Sequence, residues 1–504
     1  MNKKTMMKIL LVYPEHPDTF WTFKYALKFI FKKAAHPPLG LLTVAAMLPG
    51  DWEKKFIDMN VRTLNDKELK WADFVFISAI SVQKESVKEI IARCKKFGVK
   101  IVAGGPLFTT GYEEFKSIDY FVLNEAEITL PLFLEDLRNG RPKRIYASDK
   151  FANIEKTPVP LWNLINIKNY ASMSVQYSRG CPFHCEFCDI TLLYGFIPRT
   201  KNKNQIITEL ENLYLQGWRG GIFFVDDNFI GNKVNLKKEI LPAIARWMEQ
   251  KKYPFSFLTQ ASINLSDDEE LMRLMVEAGF DAVFVGIESP NEESLTECAK
   301  FQNRNRDLIA SVKKIQRFGL QVQGGFIVGF DNDPISIFER QIEFIQKSGI
   351  VTAMVGLLNV LRNTKLYHRL KKENRLLKDG SGDSMDCSVN FIPKMNQDIL
   401  VNGYKRILSK IYSPACYYER VGRFLKEYKP LQKRKFRFHF SYPGAVLMSI
   451  LRLGIIGKER VYYWKLIFWS LFRRPRLFPL AITFAIYGFH FRKVFKNTYK
   501  MFEE

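Results

Sequence analysis

Three cysteines fall within one short stretch, Ser178-Arg-Gly-Cys181-Pro-Phe-His-Cys185-Glu-Phe-Cys188-Asp-Ile190. A C-x3-C-x2-C spacing offers three thiolates to soft metal ions. A 4Fe-4S cluster takes four ligands, so three cysteines leave one iron open for a substrate. The competing reading is a zinc knuckle, with His184 or a distant residue as fourth ligand. The spacing differs from the closed zinc patterns, the loop follows an apolar strand, and Phe187 precedes the third cysteine. All three favour the cluster. Cys94, Cys298, Cys387 and Cys416 read as buried thiols and His184 as a spacer.

Such a loop must be held by what surrounds it. From about residue 170, apolar strands alternate with helices: Ser172–Tyr177, Gly221–Val225, Phe255–Thr259, Ala282–Ile287, Val322–Val328 and Thr352–Leu358, with helices such as Asn204–Gln216 and Asp267–Ala278 between them. Six such units predict a full or partial (β/α) barrel, whose chemistry gathers at the C-terminal strand ends. The cysteine loop, Asp226-Asp227-Asn228, Gln260, Glu288 and Gly329 all fall at such ends.

An earlier series precedes it. Strands are expected at Lys8–Tyr13, Lys55–Asp58, Phe74–Ile80, Lys100–Pro106 and Tyr120–Leu123, with helices at Leu41–Leu48 behind Pro37-Pro38 and at Glu85–Phe97. Continuous apolar strands alternating with helices predict a Rossmann-like, doubly wound parallel sheet. Its ligands bind beyond the strand C-termini, where Ser78, Ser81, Gly104, Gly105 and Pro106 stand. The chain therefore divides into an α/β domain over 1–140, a proline-bearing linker over 141–165, a barrel over 166–365 and a helical C-terminal extension over 366–504.

The cysteine motif, on a strand opening a (β/α) series, resembles that of the radical S-adenosylmethionine (SAM) enzymes. In that superfamily the open iron binds the amino and carboxylate groups of SAM. Electron transfer then cleaves SAM to methionine and a 5′-deoxyadenosyl radical. The resemblance implies that Cys181, Cys185 and Cys188 hold the cluster. It places Phe187 by the adenine and Asp226, Asp227 and Asn228 at the amino-group contact. Gln260 stands at the third strand end, Glu288 at the polar end of the fourth, and Gly324–Gly329 as the adenine backbone motif. The domain in front resembles the cobalamin-binding domain of the B12-dependent class, with Pro38, Gly40, Ser78, Ser81, Gly104, Gly105 and Pro106 matching its pattern. It departs from that domain in lacking Asp-x-His-x-x-Gly. His16 sits in Pro-Glu-His-Pro without the flanking residues, so a lower His ligand to cobalt is not expected. Over nearly the whole chain, His36–Ala46, Cys185–Ile190 with Leu193–Gly195 and Pro198-Arg199, and Phe224–Gly231 are similar to the hopanoid C-2 methylases and related proteins with the same extension.

The resemblance implies hydrogen abstraction from an unactivated carbon, methyl transfer from methylcobalamin, and remethylation by a second SAM. The expected partners are a small-molecule or lipid substrate and an electron donor such as flavodoxin or ferredoxin. The runner-up is a radical SAM cyclisation, coupling or rearrangement. Beyond that stands a zinc-stabilised RNA- or membrane-binding module.

Lys and Arg number 76 against 52 Asp and Glu, a net charge of +24, which implies an anionic partner. From Lys433 on, fifteen basic residues face three acids among interleaved Trp, Tyr and Phe, and this stretch carries half the net charge. The composition suits an anionic membrane surface better than nucleic acid. Leu477–Phe491 would lie in the interface, with Trp464 and Trp469 at its boundary. An ordinary helical cap is the alternative. Seven cysteines, three of them crowded, suit a reducing compartment. The Met1–Pro14 segment lacks a cleavage site and no apolar run reaches spanning length, so the expected location is the cytoplasm, peripheral to the membrane.

Overall fold

Two six-stranded parallel sheets position every loop singled out above. The computed structural model describes residues 6–430 and 441–499, apart from Asp379, Ser381, Ser384 and Asp386. The first sheet contains β1 (Lys8–Tyr13), β2 (Glu53–Asp58), β3 (Phe74–Ser78), β4 (Lys100–Gly104), β5 (Tyr120–Val122) and β6 (Ile145–Tyr146), in the order β2-β1-β3-β4-β5-β6. Side chains alternate across a strand, so Ile9 and Leu11 of β1 enter one core while Leu10 and Val12 enter another on the opposite face. Both faces are covered, as a parallel sheet requires. β1 pairs with both β2 and β3. The strand order reverses at β1, which opens a crevice beyond the ends of β1 and β3.

β6 lies in the stretch expected to be a linker. Its two residues are too few for a periodic signal, and Tyr146 anchors it by donating to Asp136 at 2.9 Å and accepting from the Lys143 amide at 2.7 Å.

The second sheet contains β7 (Ser172–Val175), β10 (Gly221–Phe224), β11 (Ser256–Gln260), β12 (Phe280–Glu288), β13 (Gln321–Val328) and β14 (Ala353–Leu357). Its order is β14-β13-β12-β11-β10-β7, and its two edge strands do not pair, so it is a partial barrel. A short antiparallel ribbon, β8 (Ser178–Arg179) with β9 (Arg199–Thr200), frames the cysteine loop. Phe257 and Thr259 of β11 and Val283, Val285 and Ile287 of β12 are buried against the helices. The alternate positions Phe223, Leu258, Phe284, Ile327 and Met354 are half-buried on the inner face. The N-terminal segment reaches over that face. The Trp21 ring lies 5.4 Å from Phe284, and His36 lies 5.4 Å from Phe223.

The C-terminal extension is helical: Gln397–Ile411, Pro414–Glu427, Ser441–Ser449, Arg460–Arg473 and Phe478–Tyr499. Most of Leu477–Phe491, expected in a membrane interface, packs inside the protein. Ala481, Phe484, Ala485, His490 and Phe491 are buried, and Phe491 stacks on Phe20 with centroids 4.2 Å apart. Among the described residues no helix is long and apolar enough to cross a membrane. The basic run Lys433–Arg437 and Lys500, Glu503 and Glu504 lie outside the described residues.

Candidate active site

The cysteine loop is tied down on three sides. Behind it, the buried Asp226 carboxylate at the end of β10 accepts from the Tyr177 amide at 3.1 Å, from the Ser178 hydroxyl at 2.6 Å and from the Ser178 amide. Burial pushes Asp226 up to about 7, although the donors from Ser178 and Tyr177 pull the other way. Asp226 is 0% exposed, so it pins the loop and offers no surface to a ligand, a correction to its expected place at a cofactor amino group. Asp227 takes the more open position. It accepts from the Gly180 amide at 3.3 Å and is pushed up to about 6 by burial. Asn228 is 3% exposed and turned to Ser262 at 3.3 Å, so it too braces the strand ends.

From the first domain, Glu125 and Glu127 reach across to Arg179. Arg179 donates to Glu125 at 3.0 Å and to Glu127 at 2.8 Å, and Arg199 of β9 donates to Glu125 at 2.8 Å. Burial alone raises a carboxyl, but Arg179 outweighs it and holds Glu127 below the usual range. From the other side, Arg369 of the Lys365–Lys372 helix grips Glu186, between the second and third cysteines, at 2.7 and 3.0 Å. Arg369 also donates to Asp331 at 2.9 Å.

The ends of β12 and β13 reach the cysteine loop. Phe187 lies 6.2 Å from Phe330, next to Gly329 at the end of β13. Gly329 has a positive φ of +110°, which a side chain rarely adopts, and its amide donates to Asp333. Gln260 is half-buried at the end of β11. Glu288 sits at φ +62° and is paired with Lys300 at 2.8 Å. Lys300 is buried, feels the charge of Cys185 and Cys188, and is held charged above the usual lysine range by Glu288 and those thiols despite its burial. Gln302 donates to the Cys185 sulfur at 3.9 Å, and Cys298 gives its carbonyl to the Glu186 amide at 2.9 Å.

The thiols suit a cluster. Burial raises Cys188 and Cys181, and each is raised further by its neighbours, so the three lie within electrostatic reach of one another. Among the described residues no three His, Cys, Asp or Glu side chains close around a single ion. Three cysteine ligands leave a four-iron cluster one open position.

At the crevice of the first sheet, Ser78, Ser81, Gly104, Gly105 and Pro106 gather beyond β3 and β4, all half-buried. Pro38 caps the Leu39–Met47 helix, and the space above the exposed Gly40 is open. Part of the demand for glycine comes from the protein itself. A Cβ on Gly104 would lie 2.6 Å from the Val122 carbonyl oxygen, and one on Gly105, at φ +90°, would lie 2.7 Å from the Ser78 hydroxyl. His16 stands in the loop after β1, bonded to the Tyr13 hydroxyl at 3.1 Å and pushed down to about 4 by burial. The glycines bring backbone to the crevice, which suits close approach by a flat macrocycle with a nucleotide tail.

Sequence reasoning missed the roles of Arg179, Glu125, Glu127, Arg369, Lys300 and Gln302, and met Arg199 only within the family resemblance. The pairs Arg179–Glu125 and Arg369–Glu186 span 54 and 183 residues, and no local spacing marks them. The Lys300–Glu288 pair spans 12 residues, with the Glu292–Glu297 helix between them, so it too has no local spacing to mark it.

Comparison with known proteins now places this architecture. Residues 33–134 match the B12 binding domain, 175–345 the Radical SAM superfamily, and 364–504 a domain of unknown function. An uncharacterized methyltransferase of Synechocystis is 42% identical over 96% of this chain and 91% of its own. The hopanoid C-2 methylase of Rhodopseudomonas palustris is 32% identical over 92% of this chain and 89% of its own. The radical SAM methyltransferase TsrM of Kitasatospora setae, solved with cobalamin and a 4Fe-4S cluster, shares the fold with a TM-score of 0.64 over 98% of this chain and 99% of that one, at 14% identity. The chain belongs to the cobalamin-dependent radical SAM methyltransferases, in the group that includes the hopanoid C-2 methylase. Its cofactors are SAM, a 4Fe-4S cluster and cobalamin.

Proposed function

We propose that this enzyme methylates an unactivated carbon of an apolar, hopanoid-like lipid. The observation that carries the reading is the inner face of the barrel. Phe223, Leu258, Phe284, Ile327 and Met354 line it, half-buried, with Trp21 over Phe284 and a neutral His36 over Phe223. A saturated carbon offers no handle to an acid or base, and a wall of this kind gives position and exclusion of water instead. The 32% identity to the hopanoid C-2 methylase points the same way.

The groups bound here supply a carbon-centred radical and a transferable methyl. Cys181, Cys185 and Cys188 would hold the cluster, with Lys300 as the compensating charge. Phe187, Asp227, Gln260, Glu288 and Gly329 surround the place for SAM, and Asp226 and Asn228 keep the loop in register with it. Pro38, Gly40, Ser78, Ser81, Gly104, Gly105 and Pro106 would receive cobalamin. The partners of this reading are an electron donor such as flavodoxin or ferredoxin and a membrane that presents the lipid.

Deleting the gene tests the substrate. The reading expects one methylated polycyclic lipid to disappear and its unmethylated parent to accumulate. An unchanged lipid profile would overturn it.

A further inference from the structure

We infer that the outer face of the Arg460–Arg473 helix and the turn before it is a docking surface for an anionic phospholipid bilayer. The inference rests on the reading of a membrane-held lipid substrate and names the surface that meets the membrane. That helix is apolar on two sides. Tyr463, Leu466, Ile467 and Ser470 are buried against the protein. On the outside, Val461, Phe468 and Phe472 are 58%, 52% and 77% exposed, and Leu471 is 44% exposed. Positions 461, 468 and 472 fall on one helical stripe, with Lys465 between them. Among the described residues, a helix that is apolar on two sides and covered on one has no partner for its second face. The adjoining turn extends that face. Ile455 and Ile456 are 56% and 78% exposed, and Trp464 joins the two elements by donating to the Gly454 carbonyl at 3.0 Å.

Charge decides the occupant. Between residues 441 and 499 ten Lys and Arg stand against one acid, Glu459, and that acid is paired with Arg492 at 2.7 Å. Arg460, Lys465, Arg473 and Arg476 are exposed around the apolar stripe. An open groove of about 620 Å³ on this face is lined by Gly454, Arg460, Val461, Trp464, Lys465 and Phe468. Trp464 and Phe468 stack in it with centroids 5.3 Å apart. Two cations over an aromatic floor, with no acid, match a phosphate head group above an acyl chain. A second copy of the chain docking by the same face would set these cations against each other, since a two-fold interface is self-complementary.

The test uses the full-length holoenzyme sedimented with vesicles of phosphatidylcholine alone, or with about a third phosphatidylglycerol, a strongly anionic surface. Binding is expected to the anionic vesicles only, and to weaken with salt. The paired change Arg460→Glu with Lys465→Glu should weaken it at least tenfold, and Phe468→Ser with Phe472→Ser should weaken it comparably. These side chains are exposed, so the variants should keep the wild-type circular dichroism and methylate detergent-solubilised substrate as before. That separates loss of docking from failure of the methylation reading. No binding to anionic vesicles, equal binding by both variants, or a solution oligomer that the variants dissolve would overturn the inference. The last result would assign the face to protein–protein contact.

Discussion

The cysteine loop and the C-terminal helices are held in opposite ways. Around the loop the fastening is charged and directional, buried for Asp226 on Ser178 and for Arg179 on Glu125 and Glu127, and half-buried for Arg369 on Glu186. The C-terminal helices are held mainly by aromatic packing, with Phe491 on Phe20 and the Tyr412 and Tyr417 rings 5.8 Å apart, to which the Arg492–Glu459 pair and the buried Arg420 add polar ties. Charge pairs fix geometry, because a buried ion tolerates only partners at the right distance. Apolar contacts fix only volume and leave a face free to adapt. A loop that must aim three thiols needs the first kind, and the second is enough for an extension proposed to dock on a fluid bilayer.

The largest effect should come from the loop itself. Cys185→Ala should abolish 5′-deoxyadenosine formation and remove the cluster's EPR signal after anaerobic reconstitution, while far-ultraviolet circular dichroism stays unchanged. Retained SAM cleavage would place the ligands elsewhere. Next, Arg179→Met leaves Glu125 and Glu127 buried without their shared cation. Loss of one partner of such a pair costs about 3–5 kcal/mol, read as a lower denaturation midpoint. The equivalent loss at the exposed Lys347–Glu343 pair should cost under about 1 kcal/mol. A third comparison sets cradle against loop. Gly105→Ala forces a Cβ to 2.7 Å from Ser78 at positive φ, so it should destabilise by about 1–3 kcal/mol and weaken cobalamin binding by spectral titration, with the cluster signal intact.

The smallest effect concerns acid. Burial pushes His16, His36 and His490 from 6.5 down to about 4, so all three are neutral in the fold. The unfolded chain binds their protons first, so stability is full above about pH 6.5 and falls as pH drops towards about 4. His490 lies in the aromatic contact between the N-terminal segment and the last helix, 5.3 Å from Phe23. His490→Leu should lower the slope of stability against pH in that window by one proton, measured by urea denaturation at successive pH values.

The strands were readable because parallel strands buried on both faces are continuous apolar runs, and their ends then named the cysteine loop, Gln260, Glu288 and Gly329. β6 was lost because two residues between prolines carry no period. Asp226 was placed correctly at a strand end yet read as a ligand contact, because sequence shows position along the chain and not whether Ser178 has already taken the carboxylate. The tail's Leu477–Phe491 was read as facing lipid. Its hydrophobicity fits a core equally well, and only packing on Phe20 separates the two. The Val461–Phe472 run stood out for its interleaved aromatics, but a linear run does not show that Val461, Phe468 and Phe472 face outward while Tyr463 and Leu466 face in.

The most direct test supplies the reconstituted enzyme with SAM labelled in its methyl group, cobalamin, a reductant and a solubilised hopanoid. The account predicts that the label enters a carbon of the lipid and that 5′-deoxyadenosine accumulates in equal amount, both lost in Cys185→Ala. Lipid-dependent 5′-deoxyadenosine with no label in the product would contradict methyl transfer and leave a cyclisation, coupling or rearrangement in its place.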